Sequence, residues 1–277
     1  MRNMGSRKLE GVGSLESTFN EAVGTQRDCR ESGEDMFDQV VGLKKRYRDG
    51  EQILGVSMPA ETTKDRFDQI LSADTYDYVS VDSQHSPYNE ETLAAFCDMA
   101  AGADVFVQFR IKHTAMTYLV GNYLDLGPCG IEVPQVELES TADEAVKYFY
   151  YPQDGYRSNG GRHRRKVGDY PDYREYAKWW NTFGVLWLQV ESVEAVTNAH
   201  KLIRAGVDCI SFGPTDLGFS LDSHPNHNLK TVDDCIDYAV KSLEGTGVAV
   251  CHRTYFLELR QQYWDRGVQV ILESPKG

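Results

Sequence analysis

The chain has 277 residues, 41% hydrophobic and 26% charged. That balance argues against wholesale disorder and leaves room for a sizeable core, enough for one α/β barrel of about 250 residues without selecting it. A formal net charge of −13 argues against a nucleic-acid partner, because a phosphate-binding face needs clustered Lys and Arg.

Residues 1–33 are polar and rich in Gly, Ser and Glu, without sustained periodicity, and are set apart as an N-terminal extension. They lack the apolar core of a signal peptide, and no stretch approaches the roughly 20 apolar residues of a membrane span, so a soluble, cytoplasmic protein is expected. Residues 34–277 read as one domain. Over 36–48, Phe37, Val40, Val41 and Leu43 predict a short amphipathic helix ended near Gly50. Short apolar runs then recur at 53–58, 78–82, 105–110, 130–136, 185–191, 209–213, 248–251 and 268–273, eight candidate strands in all. Helical segments fit between them at 64–73, 90–101, 114–126, 141–150, 193–205, 232–243 and 256–266, several behind a capping residue such as Ser192. The count and alternation predict a (β/α)8 TIM barrel, and no Gly-rich dinucleotide fingerprint follows the first strand to favour an open sheet.

An insertion at 151–184 breaks the rhythm and reads as a functional or interface loop, since a segment of that length without structure is uncommon in a compact domain. Its basic cluster, Arg162, His163, Arg164, Arg165 and Lys166, reads as a solvated or interface loop. The six cysteines, Cys29, Cys97, Cys129, Cys209, Cys235 and Cys251, show no zinc-type spacing, and most are expected to be reduced and buried.

In a barrel of this kind, chemistry collects at the C-terminal strand ends. There the sequence places Asp82, His85, Arg110, Gln189, Glu191 and Asp216. Two converging carboxylates with open water positions suit a hard ion such as magnesium or manganese, whereas zinc is less natural without His or Cys ligands. The blander readings are helix capping by Glu191 or Asp216, an Arg110–Asp82 structural pair, and a solvent-exposed loop histidine at His85. Six polar residues on successive strand ends favour a site over coincidence.

These segments resemble the HpcH/HpaI family of metal-dependent class II pyruvate aldolases. The resemblance rests on YDYVSVDSQHSPYN, VFVQFR, YLDLGPCGIEVPQVE, YYPQDGYRSNGG, LQVESVEAVTNAHKLIRAGVDCISFGPTDLGFSL and the HPN at 224–226, in family order, with the stretch at 188–221 the most specific. It implies that Glu191 and Asp216 are metal carboxylates for magnesium, manganese or cobalt. It further implies that Arg110 steadies the oxygen of a bound 2-oxo acid beside Gln189, and that Gly213, Pro214, Thr215 and Asp216 receive the substrate carboxylate. His85 is implied to form an acid–base pair with Asp125, and Asp82 to support them. The implied activity is carbon–carbon cleavage or formation through a metal-stabilised pyruvate enolate, as in an aldolase acting on a 4-hydroxy-2-oxo acid with an aldehyde or other acceptor, in a homo-oligomer, trimeric or hexameric.

The same enolate serves an oxaloacetate decarboxylase or a macrophomate-synthase-like or citrate-synthase-like enzyme, and a metal-retaining binding protein is the non-enzymatic alternative. Three departures stand out. Gln84 replaces the family's usual Glu next to His85, and YYPQDGYRSNGG differs from the tighter family loop. Only four residues follow the last predicted strand, where the family continues into a helix at a subunit interface.

Overall fold

The structure, a computed structural model, describes residues 40–276; the polar extension, Cys29 and the start of the first predicted helix lie outside the described residues. Helix α1 (Gly42–Arg48) leads into β1 (Ile53–Ser57), then α2 (Lys64–Leu71), β2 (Tyr78–Asp82), α3 (Glu90–Gly102) and β3 (Phe106–Arg110). A 3-10 turn and α4 (Val120–Leu124) precede β4 (Gly130–Val133), followed by α5 (Glu139–Phe149), α6 (Tyr173–Phe183) and β5 (Val185–Val190). Next come α7 (Val193–Thr197), α8 (Ala199–Leu202), β6 (Cys209–Phe212), α9 (Pro214–Ser223) and α10 (Val232–Leu243). The chain ends with β7 (Ala249–Thr254), α11 (Arg260–Asp265) and β8 (Val270–Glu273). The eight strands are parallel, lie in sequence order, and close when β8 pairs with β1, which is the predicted TIM barrel.

Nearly every strand residue is buried, because helices cover the outer face while the lumen is filled with side chains. Tyr78 and Trp187 meet edge to face inside the barrel at 5.5 Å between ring centroids. Gly55 is needed on β1 because a Cβ there would lie 2.0 Å from the Tyr78 ring. Leu43 and Tyr47 of α1 join the cluster that includes Ile53, Phe106, Val185 and Trp187, so α1 closes the N-terminal end of the barrel. The fully buried Lys44 fixes that helix. Its Nζ donates to both carboxylate oxygens of Asp208 at 2.8 and 2.7 Å and to the Tyr150 hydroxyl at 2.8 Å.

Several boundaries differ from the sequence expectation. The fourth strand stops at Val133, since Pro134 has no N–H to continue the ladder and Gln135 adopts a φ of 51°. The insertion at 151–184 is no structureless loop, for it contains α6, capped by Asp172 through the Arg174 N–H at 2.7 Å and buried along Tyr176 and Trp180, one turn apart. The basic cluster is only partly solvated. Arg165 is buried, donating to the Asp104 carboxylate at 2.7 Å and the Val105 carbonyl at 3.2 Å, and Arg164 donates to Tyr151 and Asn159. The predicted helix at 193–205 divides into α7 and α8, and α9 was not predicted. Among the described residues, Cys97, Cys129, Cys209, Cys235 and Cys251 are buried and unbridged, and no helix is long and apolar enough to cross a membrane.

Candidate active site

A cavity of about 460 Å³ opens at the C-terminal ends of the strands, a volume typical of small-molecule sites. Asp82, His85, Arg110, Gln189, Glu191 and the segment from Gly213 to Asp216 line one side of it. The six strand-end residues singled out in the sequence therefore share one space.

Asp82 and Arg110 are neighbours in register, last residues of adjacent strands, and both side chains point inward. Arg110 grips the Asp82 carboxylate with two parallel bonds, Nε to Oδ1 at 2.7 Å and Nη2 to Oδ2 at 2.6 Å. Burial alone would raise the Asp82 carboxyl; the hydrogen bonds and charge of Arg110 override it and hold the group below its ordinary value. Nη1 of Arg110 donates to Oε1 of Gln189 at 3.1 Å. That bond orients the Gln189 amide, whose buried Nε2 makes no hydrogen bond within the protein. The Arg110–Asp82 structural pair thus exists, and it also aims the guanidinium into the cavity.

Neither metal-candidate carboxylate is spent on capping. Ser192, not Glu191, caps α7 by accepting from the Ala195 N–H at 3.2 Å, and α9 begins at Gly213 with no side-chain cap. Glu191 is buried and its Oε2 has no hydrogen-bond partner. Burial, reinforced by the charge of Asp216, pushes the Glu191 carboxyl up to about 7, against the pull of Arg110 and Arg253. A buried carboxylate whose charged form is disfavoured by desolvation and by a like-charged neighbour, with one oxygen orphaned, matches the needs of a hard divalent cation. Gly213 makes the arrangement possible, because a Cβ there would stand 2.0 Å from Oε1 of Glu191. Among the described residues no group of three or more His, Cys, Asp or Glu forms a closed cage. Glu191 and Asp216 would hold such an ion with water and substrate oxygens completing its shell.

Asp125 is not brought to His85 within the chain. Its carboxylate accepts from Nη2 of Arg157 at 3.0 Å, and it does not line the cavity. Burial raises its pKa, with Arg157 opposing the rise. Arg157 itself lies over the Tyr151 and Trp180 rings, so the YYPQDGYRSNGG loop serves this cluster rather than the cavity wall. The Gln84 N–H donates to Asp82 at 2.9 Å, and Gln84 Oε1 is buried without a partner.

Sequence reasoning missed a buried pair across the lumen. Arg253 on β7 is in ion-pair contact through Nη2 with Oε2 of Glu132 on β4, and Ser211 donates to the other Glu132 oxygen at 2.5 Å. Glu132 could have been noticed as an acid flanked by Ile131 and Val133 in an otherwise apolar strand. Arg253 could not, because the predicted seventh strand stopped at 251.

A model of the HpcH/HpaI aldolase/citrate lyase family matches residues 61–267. The chain is 27% identical to a 4-hydroxy-2-oxovalerate aldolase of Rhodococcus jostii, over 73% of this chain and 78% of that protein. It is 30% identical to a hydroxypyruvate/pyruvate aldolase of Deinococcus radiodurans, over 65% of each. Among solved structures, an HpcH/HpaI aldolase from Desulfitobacterium hafniense superposes with a TM-score of 0.73 at 26% identity, covering 84% of this chain and 90% of that one. Macrophomate synthase shares the fold, with a TM-score of 0.70 at 18% identity, covering 85% of this chain and 84% of that one. With the matched segment spanning the strand ends that build the cavity, the chain belongs to the HpcH/HpaI aldolase/citrate lyase family.

Proposed function

We propose that the chain is a divalent-metal-dependent carbon–carbon lyase of aldehyde-lyase type, joining or separating a pyruvate unit and a carbonyl acceptor, as with a 4-hydroxy-2-oxo acid. The observation that carries this reading is the orphaned Glu191 carboxylate beside Asp216, in the same cavity as a braced Arg110. The aldolase names of the relatives in Rhodococcus jostii and Deinococcus radiodurans support it.

A bound ion, magnesium, manganese or cobalt, would supply Lewis-acid character toward the substrate oxygens. Arg110 would face the keto oxygen as negative charge gathers there, and its bonds to Asp82 and Gln189 would limit reorganisation during reaction. The free Gln189 Nε2 is a second donor into the same space. Backbone N–H groups at the start of α9, around Thr215 and Asp216, would take the substrate carboxylate on the positive end of the helix. In cleavage the C3–C4 bond breaks, its electron pair passes onto the keto oxygen, the C4 hydroxyl gives up its proton to become a carbonyl, and C3 gains a proton. His85, exposed at the rim, is the group assigned to that proton traffic. A homo-oligomer, trimeric or hexameric, belongs to the same reading and is tested by light scattering.

The central test is exchange of pyruvate methyl protons in deuterated water, followed by NMR. Exchange with added magnesium or manganese, lost on chelation and in Glu191→Ala, is expected. No exchange with either metal would sink the lyase reading in favour of a metal-retaining binding protein.

A further inference from the structure

The cavity has a second side, formed by β7, β8 and β1, to which no step above assigns a role, and Arg253 lies on it. Strand alternation directs Arg253 into the lumen, two residues beyond Cys251 of the interior cluster. Its side chain retains 13% exposure, and its Nε makes no hydrogen bond. Glu132, which it meets across the barrel, is fully buried and further held by Ser211.

Stability alone does not account for this pair. Desolvating two charges offsets most of their attraction, and an apolar pair of similar volume would serve the barrel as well or better. Below the Asp82–Arg110 pair at the mouth, the inward positions Ser80, Gln108 and Ser211 are uncharged. A ligand gives the cation a use. Asp82, Glu191, Asp216 and Glu273 make the mouth acidic, and Glu273 is already bound by Arg260 at 2.7 and 2.8 Å. The carboxylate and keto group of a simple 2-oxo acid are served by the side that carries Arg110. A second carboxylate would meet an acidic rim unless a cation waited on the opposite side, and Arg253 stands there with Glu132 fixing its guanidinium.

We propose that Arg253, braced by Glu132, recognises a second carboxylate, so that the substrate is a dicarboxylic 2-oxo acid whose fragment beyond the pyruvate unit is itself anionic. This rests on the 2-oxo acid reading above. Isothermal titration of the manganese-loaded protein compares 2-oxoglutarate with 2-oxopentanoate, and oxaloacetate with 2-oxobutyrate in the cold, where its decarboxylation is slow. In at least one pair the dianion should bind about tenfold or more tightly, the scale of a charge-assisted hydrogen bond. In Arg253→Met that ratio should fall to near one. Glu132→Gln combined with Arg253→Gln keeps the lumen neutral, guards against misfolding of the single variant, and should lose the preference equally. Absence of preference in the natural protein for both pairs, or its survival in both variants, overturns the proposal. Pyruvate proton exchange involves no second carboxylate. No selectivity in the natural protein with exchange intact therefore refutes only the Arg253 assignment, and selectivity without exchange refutes only the lyase reading.

Discussion

At Gly213 the hydrogen that stands in place of a methyl group leaves Oε1 of Glu191 its position, 2.0 Å from where a Cβ would be. Gly213→Ala must therefore displace the carboxylate or the start of α9. Because the displaced group lies at the barrel rim, manganese affinity should drop about tenfold or more, on the scale of lost support for a metal ligand, with the unfolding midpoint nearly unchanged. Manganese titration followed by electron paramagnetic resonance reads the first, and urea unfolding the second. Glu191→Ala and Asp216→Ala should lose the ion outright; retained affinity in either would show that the ligands are misassigned. At this scale the sequence made the six strand-end residues visible, because side-chain types at predicted strand termini need no coordinates. It left open whether Arg110 was a structural partner of Asp82 or a site residue. The structure shows a single guanidinium bonded to Asp82 and Gln189 while facing the cavity.

Strand β7 presents Arg253 to the lumen and His252 to the helices, where the imidazole lies 4.0 Å from the Tyr263 ring of α11 between centroids. Burial pulls the His252 pKa down to about 4 from 6.5, and Nδ1 has no partner. The unfolded chain therefore binds this proton more readily than the folded one. The stability held by neutral His252 is complete above pH 6.5 and is lost as pH falls toward 4, by at most about 3 kcal/mol from this group. His252→Phe should flatten the fall in urea stability between pH 7 and pH 4.5; an unchanged slope would show that His252 protonates freely in the folded state. The elements themselves were largely legible, since strands buried on both faces give continuous apolar runs. Helix α6 was not, because Pro152 and the glycines before it read as loop, while the burial of Tyr176 and Trp180 depends on a partner surface supplied by Phe149 and Tyr151.

For the molecule as a whole, closure at the N-terminal end depends on Lys44 and Asp208, 164 positions apart in sequence. Burial pulls the Lys44 ammonium down and pushes the Asp208 carboxyl up, and their contact opposes both shifts. Asp208→Asn removes the countercharge from a fully buried ammonium and should cost about 3 kcal/mol or more in urea unfolding. Lys44→Met combined with Asp208→Leu should recover most of that loss, since an apolar pair avoids the desolvation of both charges. A single variant as stable as the natural protein would mean that α1 is held in place by its apolar contacts alone.

By itself the sequence determined the eight-stranded barrel, the location of the candidate site at the strand ends and the family, because each follows from local periodicity and from short motifs whose residues act near one another along the chain. The tertiary structure decided three things that periodicity cannot carry. It seated Asp125 with Arg157 within the chain, it drew Arg165 of the basic cluster into the protein, and it joined Glu132 to Arg253 across the lumen. Each is a pairing of charges distant in sequence, and which charges meet is fixed only when the barrel closes and the lumen is filled.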